Sequence, residues 1–314
     1  MRVSTLLPLA LAAGTAAASK NGTLGFALGN KNEGGKCKVQ SDYETDFDTL
    51  KEVTSLVRIY SASDCDTAKH IIPAAKAKNF KVVLGVWYGT RHITSALRQA
   101  ASFHRRLQRL KEAVPGNEEV IDAITVGSEV LYRKSLTPQA LLARIQQVQK
   151  EFPKITVGMV DSWNKFADGT ADPIIQGGVT YFLANGFAYW QGQELSNATN
   201  TYFDDMAQAL GHIEQVAGSN ADKIRFGNGE TGWPTTGGTN YGPAVASTAN
   251  AADYYKSAVA ACSHGVSMSF YFEAFDESWK PKTKGDNGEM QDETHWGAFT
   301  ADRKAKFDLT CPKH

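Results

Sequence analysis

Short apolar runs rich in β-branched and aromatic residues alternate along this chain with longer stretches of helical periodicity. Such alternation is expected of a parallel sheet built from βα units. Eight strands are predicted, at residues 23–28, 56–61, 81–88, 121–128, 155–161, 179–187, 224–229 and 267–274. The helices predicted between them include residues 65–79, 94–114, 137–151, 202–217 and 250–264.

The number and size of these units predict an α/β fold of the (β/α)8 TIM-barrel class. Each unit takes about 37 residues, close to the size of a barrel unit with modest insertions. The alternative is an open doubly wound sheet, but the first strand is not followed by the glycine-rich phosphate turn of a nucleotide-binding version. No low-complexity linker divides the chain, so we expect one domain over residues 19–314.

Composition then narrows the class of partner. Hydrophobic residues make up 42% and charged residues 21% of the 314 positions, a balance that supports a sizeable core. Lys and Arg together number 33, as do Asp and Glu, so no global field favours nucleic acid or an anionic membrane. We expect a neutral substrate, with no nucleic-acid partner and no membrane span.

The first 18 residues have the build of a secretory signal peptide. Arg2 supplies a positive charge, an apolar run follows from Leu6 to Ala13, and small residues lead to Ala18, where cleavage is expected. The sequons that begin at Asn21 and Asn197 are candidate glycosylation sites and agree with export. We therefore expect a secreted protein.

Four cysteines remain after the signal, and an even number in an exported chain favours two disulfides. Cys37 and Cys65 follow the first and second strands, so both belong to neighbouring loops at the carboxyl face. Cys262 ends the last long helix, and Cys311 lies in the tail that returns to the barrel wall. We predict Cys37–Cys65 and Cys262–Cys311. The spacings match no zinc motif, and no metal is expected.

Two glutamates stand at strand ends, where a (β/α)8 barrel gathers its function. Glu129 directly follows the fourth predicted strand and Glu230 directly follows the seventh, so both carboxyl groups should point into one cleft. A carboxyl pair facing across a sugar-sized gap performs glycoside hydrolysis, one group protonating the leaving oxygen while the other attacks or activates water. An isolated strand-end glutamate would more often cap a helix or form a surface ion pair.

The residues around the two glutamates resemble a known family. Gly127-Ser-Glu-Val-Leu-Tyr-Arg133 and Gly229-Glu-Thr-Gly-Trp-Pro-Thr235 are similar to the acid/base and nucleophile signatures of glycoside hydrolase family 17, the β-1,3-glucanases. The chain looks most like the fungal cell-wall glucanase and glucanosyltransferase branch, from Gly25 to about Phe299.

The resemblance implies a retaining enzyme without cofactor, with Glu129 as acid/base and Glu230 as nucleophile. Ser128 stands where many relatives have an Asn that contacts the sugar 2-hydroxyl. Glu277 and Lys280 are implied to lie in the cleft, whereas a purely structural ion pair is equally plausible for Glu273. The full substrate-binding set is Tyr60, Trp87, Ser128, Tyr132, Asn185, Phe187, Tyr189, Trp233, Glu273, Glu277 and Lys280.

Aromatic residues at or just past the predicted strand ends could form platforms for glucose, whose C–H faces are apolar. They are Tyr60, Trp87, Tyr88, Phe187, Tyr189, Trp190 and Trp233. We expect a β-1,3-glucan hydrolase in which transfer to a second sugar competes with hydrolysis, acting on cell-wall glucan and its oligosaccharides. The rival hypothesis is a wall protein that binds glucan without cleaving it. Endo or exo cleavage and the linkage formed on transfer stay open.

Overall fold

The structure is a computed structural model that describes residues 22–88, 96–236, 240–259, 268–284, 288 and 290–310, with backbone alone for residues 96–99. Eight parallel strands close into a barrel in chain order. They are β1 (Thr23–Ala27), β2 (Leu56–Arg58), β3 (Lys81–Val86), β4 (Ile121–Val126), β5 (Val157–Ser162), β6 (Tyr181–Asn185), β7 (Arg225–Thr231) and β8 (Met268–Tyr271). The predicted (β/α)8 barrel is confirmed.

Helices cover the outside of the barrel. They are α1 (Gln40–Leu50), α2 (Thr67–Lys78), α3 (Ala96–Ala113), α4 (Pro138–Glu151), α5 (Trp163–Ala167), α6 (Asp172–Gln176), α7 (Leu195–Ala217) and α8 (Thr248–Tyr254), the last continued by a π-helical turn over Tyr255–Val259. Helix α4 begins as its sequence predicts: the side chain of Thr137 accepts a hydrogen bond from the Ala140 amide, and Pro138 occupies the first helical position.

Helix α1 was absent from the predicted set. Its sequence is mostly polar, and only one turn-spaced row, Tyr43, Phe47 and Leu50, is apolar and buried. The spacing of four and three residues is that of one helix face, a signal that could have identified the helix.

The barrel closes where β1 pairs with β8, with Thr23 opposite Met268 and Phe26 opposite Tyr271. All five residues of β6 are buried, as expected for a parallel sheet with both faces covered. Side chains from β2 to β6 and from β8 fill the barrel interior and form a cluster of their own: Leu56, Val83, Ala123, Val160, Tyr181, Leu183, Met268 and Phe270. The barrel is a packed core, so a ligand must bind at one of its ends.

Several predicted strands run past the hydrogen-bonded ladder. The strand predicted at 81–88 ends at Val86, and the one predicted at 179–187 ends at Asn185. The extra residues keep their apolar character because they line or support the carboxyl face, so composition alone does not mark the end of the ladder.

Beyond β8, a two-stranded hairpin of β9 (Thr283–Lys284) and β10 (Met290–Gln291) lies beside this face. Among the described residues, no helix combines the length and apolar character needed to cross a bilayer.

Candidate active site

A cleft of about 690 Å³ lies at the carboxyl ends of the barrel strands. Loops that follow β1 to β8 all contribute to its wall. Ten of the residues predicted for catalysis or substrate binding line it: Tyr60, Trp87, Ser128, Glu129, Tyr132, Asn185, Phe187, Glu230, Glu277 and Lys280. Residues more than 200 positions apart in sequence therefore share one concave surface.

Glu129 stands on a tight turn after β4. Gly127 has φ +78°, and a Cβ atom there would lie 2.3 Å from Cγ2 of Val130, so only glycine fits. Glu129 itself has φ +53°, a left-handed conformation that is uncommon for a residue with a side chain. Its backbone N–H donates to the carbonyl of Val160 on β5 at 3.0 Å. The turn lifts the carboxyl group off the end of β4 and into the cleft.

The Glu129 carboxyl group is held by two donors. Asn185 donates from Nδ2 to Oε1 at 3.0 Å, and Arg133 lies 3.2 Å from Oε2. Burial and the nearby charge of Glu230 nevertheless raise the pKa of Glu129 to about 7. A carboxyl group with this pKa keeps a proton near neutral pH, which a general acid requires.

Glu230 lies in β7 at a point where the strand is bulged. The pairing of β6 with β7 shifts register between Ala184 and Asn185, which places Asn185 opposite Glu230. A Cβ atom on Gly229 would lie 2.6 Å from Oδ1 of Asn185, so the missing side chain lets the two strands approach here. Bulges re-aim side chains next to active sites, and this one turns Glu230 toward the cleft.

Arg58, at the end of β2, is the counter-ion of Glu230. Its guanidinium is 1% exposed and reaches across the barrel end. Nη1 donates to Oε1 of Glu230 and to the carbonyl of Gly229, both at 2.8 Å, and Nη2 donates to Oγ of Ser128 at 3.1 Å. Ser128 Oγ is also 3.4 Å from Oε1 of Glu230. This charge-assisted contact fixes the position of one oxygen of the Glu230 carboxyl group.

The two carboxyl groups thus face one cleft in different environments, one poised to hold a proton and one paired with a cation. In glycoside hydrolases, two carboxyl groups held in such different environments take different catalytic roles. Over residues 25–297 the chain matches the family described as BtgE/BtgC glycoside hydrolase domain.

The chain belongs to this glycoside hydrolase family.

Named relatives agree with the family. The chain is 53% identical to the glucan 1,3-beta-glucosidase of Arthroderma benhamiae, over 99% of this chain and 98% of that protein. Its identity to the glucan 1,3-beta-glucosidase of Saccharomyces cerevisiae is 39%, over 99% of each. The predicted resemblance to the fungal branch is confirmed.

A solved structure gives the same picture of the fold. The glycoside hydrolase family 17 beta-1,3-glucanosyltransferase from Rhizomucor miehei superposes with a TM-score of 0.76 at 27% identity, over 92% of this chain and 98% of that one. An active-site mutant of the same enzyme, in complex with laminaritriose, superposes with a TM-score of 0.75 at 26% identity. This BtgE/BtgC glycoside hydrolase is therefore an enzyme on a barrel shared with a known transferase.

Lys280 joins two carboxyl groups, those of Glu273 and Glu277, at the cleft. Its Nζ lies 2.7 Å from both oxygens of Glu273 and 3.1 Å from Oε2 of Glu277. Burial opposes the charge of Lys280, but the two glutamates outweigh it and raise its pKa above the ordinary value. Glu277 and Lys280 line the cleft, whereas Glu273 is 1% exposed and lies behind them. The structure places Glu273 as the buried partner of Lys280 and not on the cleft wall.

The predicted aromatic platforms divide into two groups. Tyr60, Trp87, Phe187 and Trp190 line the cleft. Tyr88, Tyr189 and Trp233 are buried and do not lie on its wall, so the expectation that they present free faces to sugar is wrong.

The reason for this burial is an aromatic cluster under the loops that follow β6 and β7. The ring of Tyr189 makes edge contacts with Trp233 at 5.0 Å and with Trp296 at 5.3 Å, while Trp190 stacks on Trp296 at 5.1 Å. Trp233 also donates from Nε1 to the carbonyl of Val245 at 2.8 Å. Aromatic residues near a strand end can therefore support a cleft wall without forming it.

Two residues were missing from the predicted site. Arg58 lies at the end of β2, and its role as counter-ion of Glu230 depends on the closed barrel, which brings the ends of β2 and β7 within reach of each other. Asp161 is 0% exposed on β5 and accepts hydrogen bonds from the turn that carries Glu129. It ends the fifth predicted strand, which is the same positional signal that identified the two glutamates.

The disulfide Cys37–Cys65 is present, with Cα atoms 5.3 Å apart, and links the loops after β1 and β2 as predicted. Cys262, Cys311 and Asn21 lie outside the described residues. Asn197 is exposed in the first turn of α7, where its Nδ2 donates to Oε1 of Gln193 at 2.9 Å, and its glycosylation stays a prediction.

Proposed function

We propose that this protein is a retaining β-1,3-glucan hydrolase and glucanosyltransferase that works by double displacement. The observation that carries the proposal is the pair of opposed carboxyl groups: Glu129 with its pKa raised to about 7, and Glu230 ion-paired with buried Arg58. The substrate class is supported by the relatives named glucan 1,3-beta-glucosidase and by the laminaritriose complex of the Rhizomucor enzyme.

In the first step Glu230 attacks the anomeric carbon while Glu129 gives its proton to the glycosidic oxygen. The C–O bond to the leaving sugar breaks as the bond to the Glu230 carboxylate forms. Among the described side chains, Arg58 and Ser128 both contact Oε1, so we assign the attack to Oε2.

In the second step Glu129, now a carboxylate, removes a proton from water or from a sugar hydroxyl. The deprotonated oxygen attacks the anomeric carbon and releases Glu230. Two successive inversions retain the β-configuration. We expect the carboxyl groups to be about 5–5.5 Å apart, the separation typical of retaining enzymes.

The test is cleavage of a β-1,3-glucan oligosaccharide, with the product anomer followed by NMR. We expect the β-anomer first, and an initial α-anomer would contradict the double displacement. Glu230→Gln should abolish turnover because an amide cannot attack the anomeric carbon. Glu119→Gln is the matched control, since Glu119 is an exposed carboxyl just before β4, at the opposite barrel end. It should keep wild-type activity.

Glu129→Ala tests the acid/base role separately. With an aryl glycoside that needs no protonation on leaving, the intermediate on Glu230 still forms and then accumulates. Azide can open it without a general base, so azide should accelerate this variant and yield a β-glycosyl azide. If azide neither accelerates the variant nor gives the azide product, Glu129 is not the acid/base.

Transfer competes with hydrolysis when acceptor subsites hold sugar well enough to displace water. Phe187 and Trp190 offer apolar surface on the cleft wall, and the aromatic cluster beneath Trp190 supports it. We expect reduced β-1,3-glucan oligomers at millimolar concentration to yield products longer than the starting chain at early times. If every product is shorter, the protein is a hydrolase only.

We also propose that the protein is secreted and acts on wall glucan, on the basis of the signal-like residues 1–18 and the disulfide Cys37–Cys65. Recovery from culture medium or the wall fraction, with an N-terminus near residue 19, would support this. The rival hypothesis of a binding protein without catalysis leaves Glu129 and Glu230 without a purpose, because binding needs no opposed carboxyl pair.

A further inference from the structure

The turn that carries Glu129 is attached to β5 by more than one backbone contact. The carbonyl of Val160 accepts the N–H of Glu129 at 3.0 Å. The next residue, Asp161, accepts the N–H of Leu131 at 2.8 Å on Oδ2 and the N–H of Tyr132 at 3.1 Å on Oδ1. Three contacts thus connect the end of β5 to Glu129 and to the residues just after it.

Asp161 is the only side chain among these acceptors, and it is buried. Its Oδ1 also accepts the N–H of Ser162 at 2.9 Å, so its carboxylate takes three backbone donors. Burial raises the pKa of Asp161 to about 6, in opposition to these hydrogen bonds. A carboxylate in this place is costly to bury, and two of its three donors belong to the turn that carries Glu129.

The turn needs such an anchor because its backbone is not in a relaxed conformation. Glu129 has φ +53° and Lys134 has φ +53°, and both carry side chains. Left-handed conformations of this kind persist only when surrounding contacts hold them. Hydrogen bonds inside the turn, from Arg133 N–H to the Glu129 carbonyl at 2.9 Å and from Ser135 N–H to the Val130 carbonyl at 2.9 Å, set its shape. They do not set its position relative to the barrel.

We propose that Asp161 is a positioning residue for the general acid/base. It docks the left-handed turn on β5 and so holds the Glu129 carboxyl group within hydrogen-bond reach of the glycosidic oxygen. The inference rests on the proposed function of Glu129. Asp161 is buried and does not line the cleft, so we expect it to act through Glu129 and not on the substrate.

Asp161→Asn is the informative change because it preserves size. An amide has one acceptor oxygen and one donor nitrogen, so whichever way it turns, at least one backbone N–H of the turn loses its acceptor. A displaced acid penalises substrates that need a proton on leaving and spares those that do not. Leaving-group dependence is therefore a readout that a general loss of folding would not produce.

The experiment compares kcat/KM for a β-1,3-glucan oligosaccharide with kcat/KM for a dinitrophenyl β-glycoside of the same sugar chain. We expect Asp161→Asn to reduce the first by at least about 30-fold, the scale of a misplaced catalytic group, and the second by less than about 3-fold. The loss should fall on kcat with KM nearly unchanged. Equal losses on both substrates, or no loss, would overturn the proposal. If Asp161→Asn does not fold, Asp161→Ser is judged by the same criteria.

Asp205→Asn is the matched control. Asp205 is 2% exposed on α7, and burial raises its pKa to about 6. Its carboxyl group accepts a hydrogen bond from Gln191 and none from the turn that carries Glu129. Its ratio of the two kcat/KM values should equal that of wild type. A selective loss on the oligosaccharide in this control would show that buried carboxyl changes act through general loosening, and would overturn the proposal.

Carboxyl NMR titration separates failure of the proposal from failure of the proposed function. The charge of Asp161 helps to raise the pKa of Glu129, as burial and Glu230 do more strongly, while Asn185 and Arg133 lower it. In Asp161→Asn the Glu129 signal, assigned with Glu129→Gln, should titrate at lower pH, whereas Asp205→Asn should leave it unchanged. If the wild-type protein cleaves no glucan, the proposed function fails, and an unchanged Glu129 titration in Asp161→Asn would still overturn the proposal, because Asp161 would then have no influence on Glu129.

Discussion

Cleavage of an unactivated β-1,3-glucan oligosaccharide should stay fast up to about pH 7 and decline above it, because Glu129 must carry a proton to release the leaving sugar. The pKa of Glu129 is raised to about 7, first by burial and then by the charge of Glu230. The sign follows directly: a raised pKa keeps the acid protonated over a wider range, so the alkaline limb of the rate profile moves upward.

The raised pKa of Glu129 changes the rate most at pH values between the ordinary pKa of a glutamate and the raised one. At pH 6 a group with a pKa of about 7 is about nine-tenths protonated, whereas one with the ordinary value of 4.5 would be about 3% protonated. The environment of Glu129 is therefore worth about 30-fold in kcat/KM at pH 6. Above pH 7 the rate should fall about tenfold for each pH unit.

The assay measures kcat/KM from pH 4 to pH 9, because this quantity reports groups in the free enzyme. A dinitrophenyl glycoside run in parallel should lack the alkaline limb, since its leaving group needs no proton. Arg133→Gln supplies a second check. The guanidinium lies 3.2 Å from Oε2 of Glu129 and lowers the pKa of that group, so its removal should move the limb to higher pH.

Two results would refute the reasoning. One is an alkaline limb below about pH 5.5, which would mean that burial does not raise the pKa of Glu129. The other is an identical limb with both substrates, which would assign the titration to a group other than the proton donor.

Three further predictions concern stability and connectivity. Arg58→Gln should lower the free energy of unfolding by about 3–5 kcal/mol, because it leaves Glu230 buried without its counter-ion, and Arg58→Lys should lose less in thermal melts. Glu129→Gln should raise the free energy of unfolding at pH 8 by on the order of 1 kcal/mol but should not raise it at pH 4. The reason is that the Glu129 carboxyl group ionises near pH 4.5 in the unfolded chain and near pH 7 in the folded protein, so the stability that this group contributes is lost as the pH rises through that window. Peptide mapping should link Cys262 to Cys311, and a free thiol at either position would contradict the second disulfide.

Local pattern was enough to predict the barrel and its two central glutamates. Each strand is a short apolar run because parallel strands are buried on both faces, and that property is present in the sequence wherever the strand is. Glu129 and Glu230 could be identified because the carboxyl ends of all strands meet at one face of the barrel, so position along a strand predicts position in space.

Burial of individual side chains could not be predicted in the same way. Tyr189 and Trp233 have the sequence position of cleft residues, yet both are covered because Trp296, from beyond β8, packs against Tyr189 beneath the same loops. Glu273 lies behind Lys280 for a similar reason: the chain turns after β8 and brings both Glu277 and Lys280 in front of it.

The sequence by itself therefore determined the architecture, the position of Glu129 and Glu230 in one cleft, and the disulfide Cys37–Cys65, since all of these depend on order along the chain and on the rule that parallel strands end together. Only the tertiary structure decided what surrounds the pair. Arg58 meets Glu230 across 172 residues of sequence, and Asp161 meets Leu131 across 30. Such partners depend on register, bulges and a left-handed turn, which set distances of a few ångströms that no local periodicity encodes.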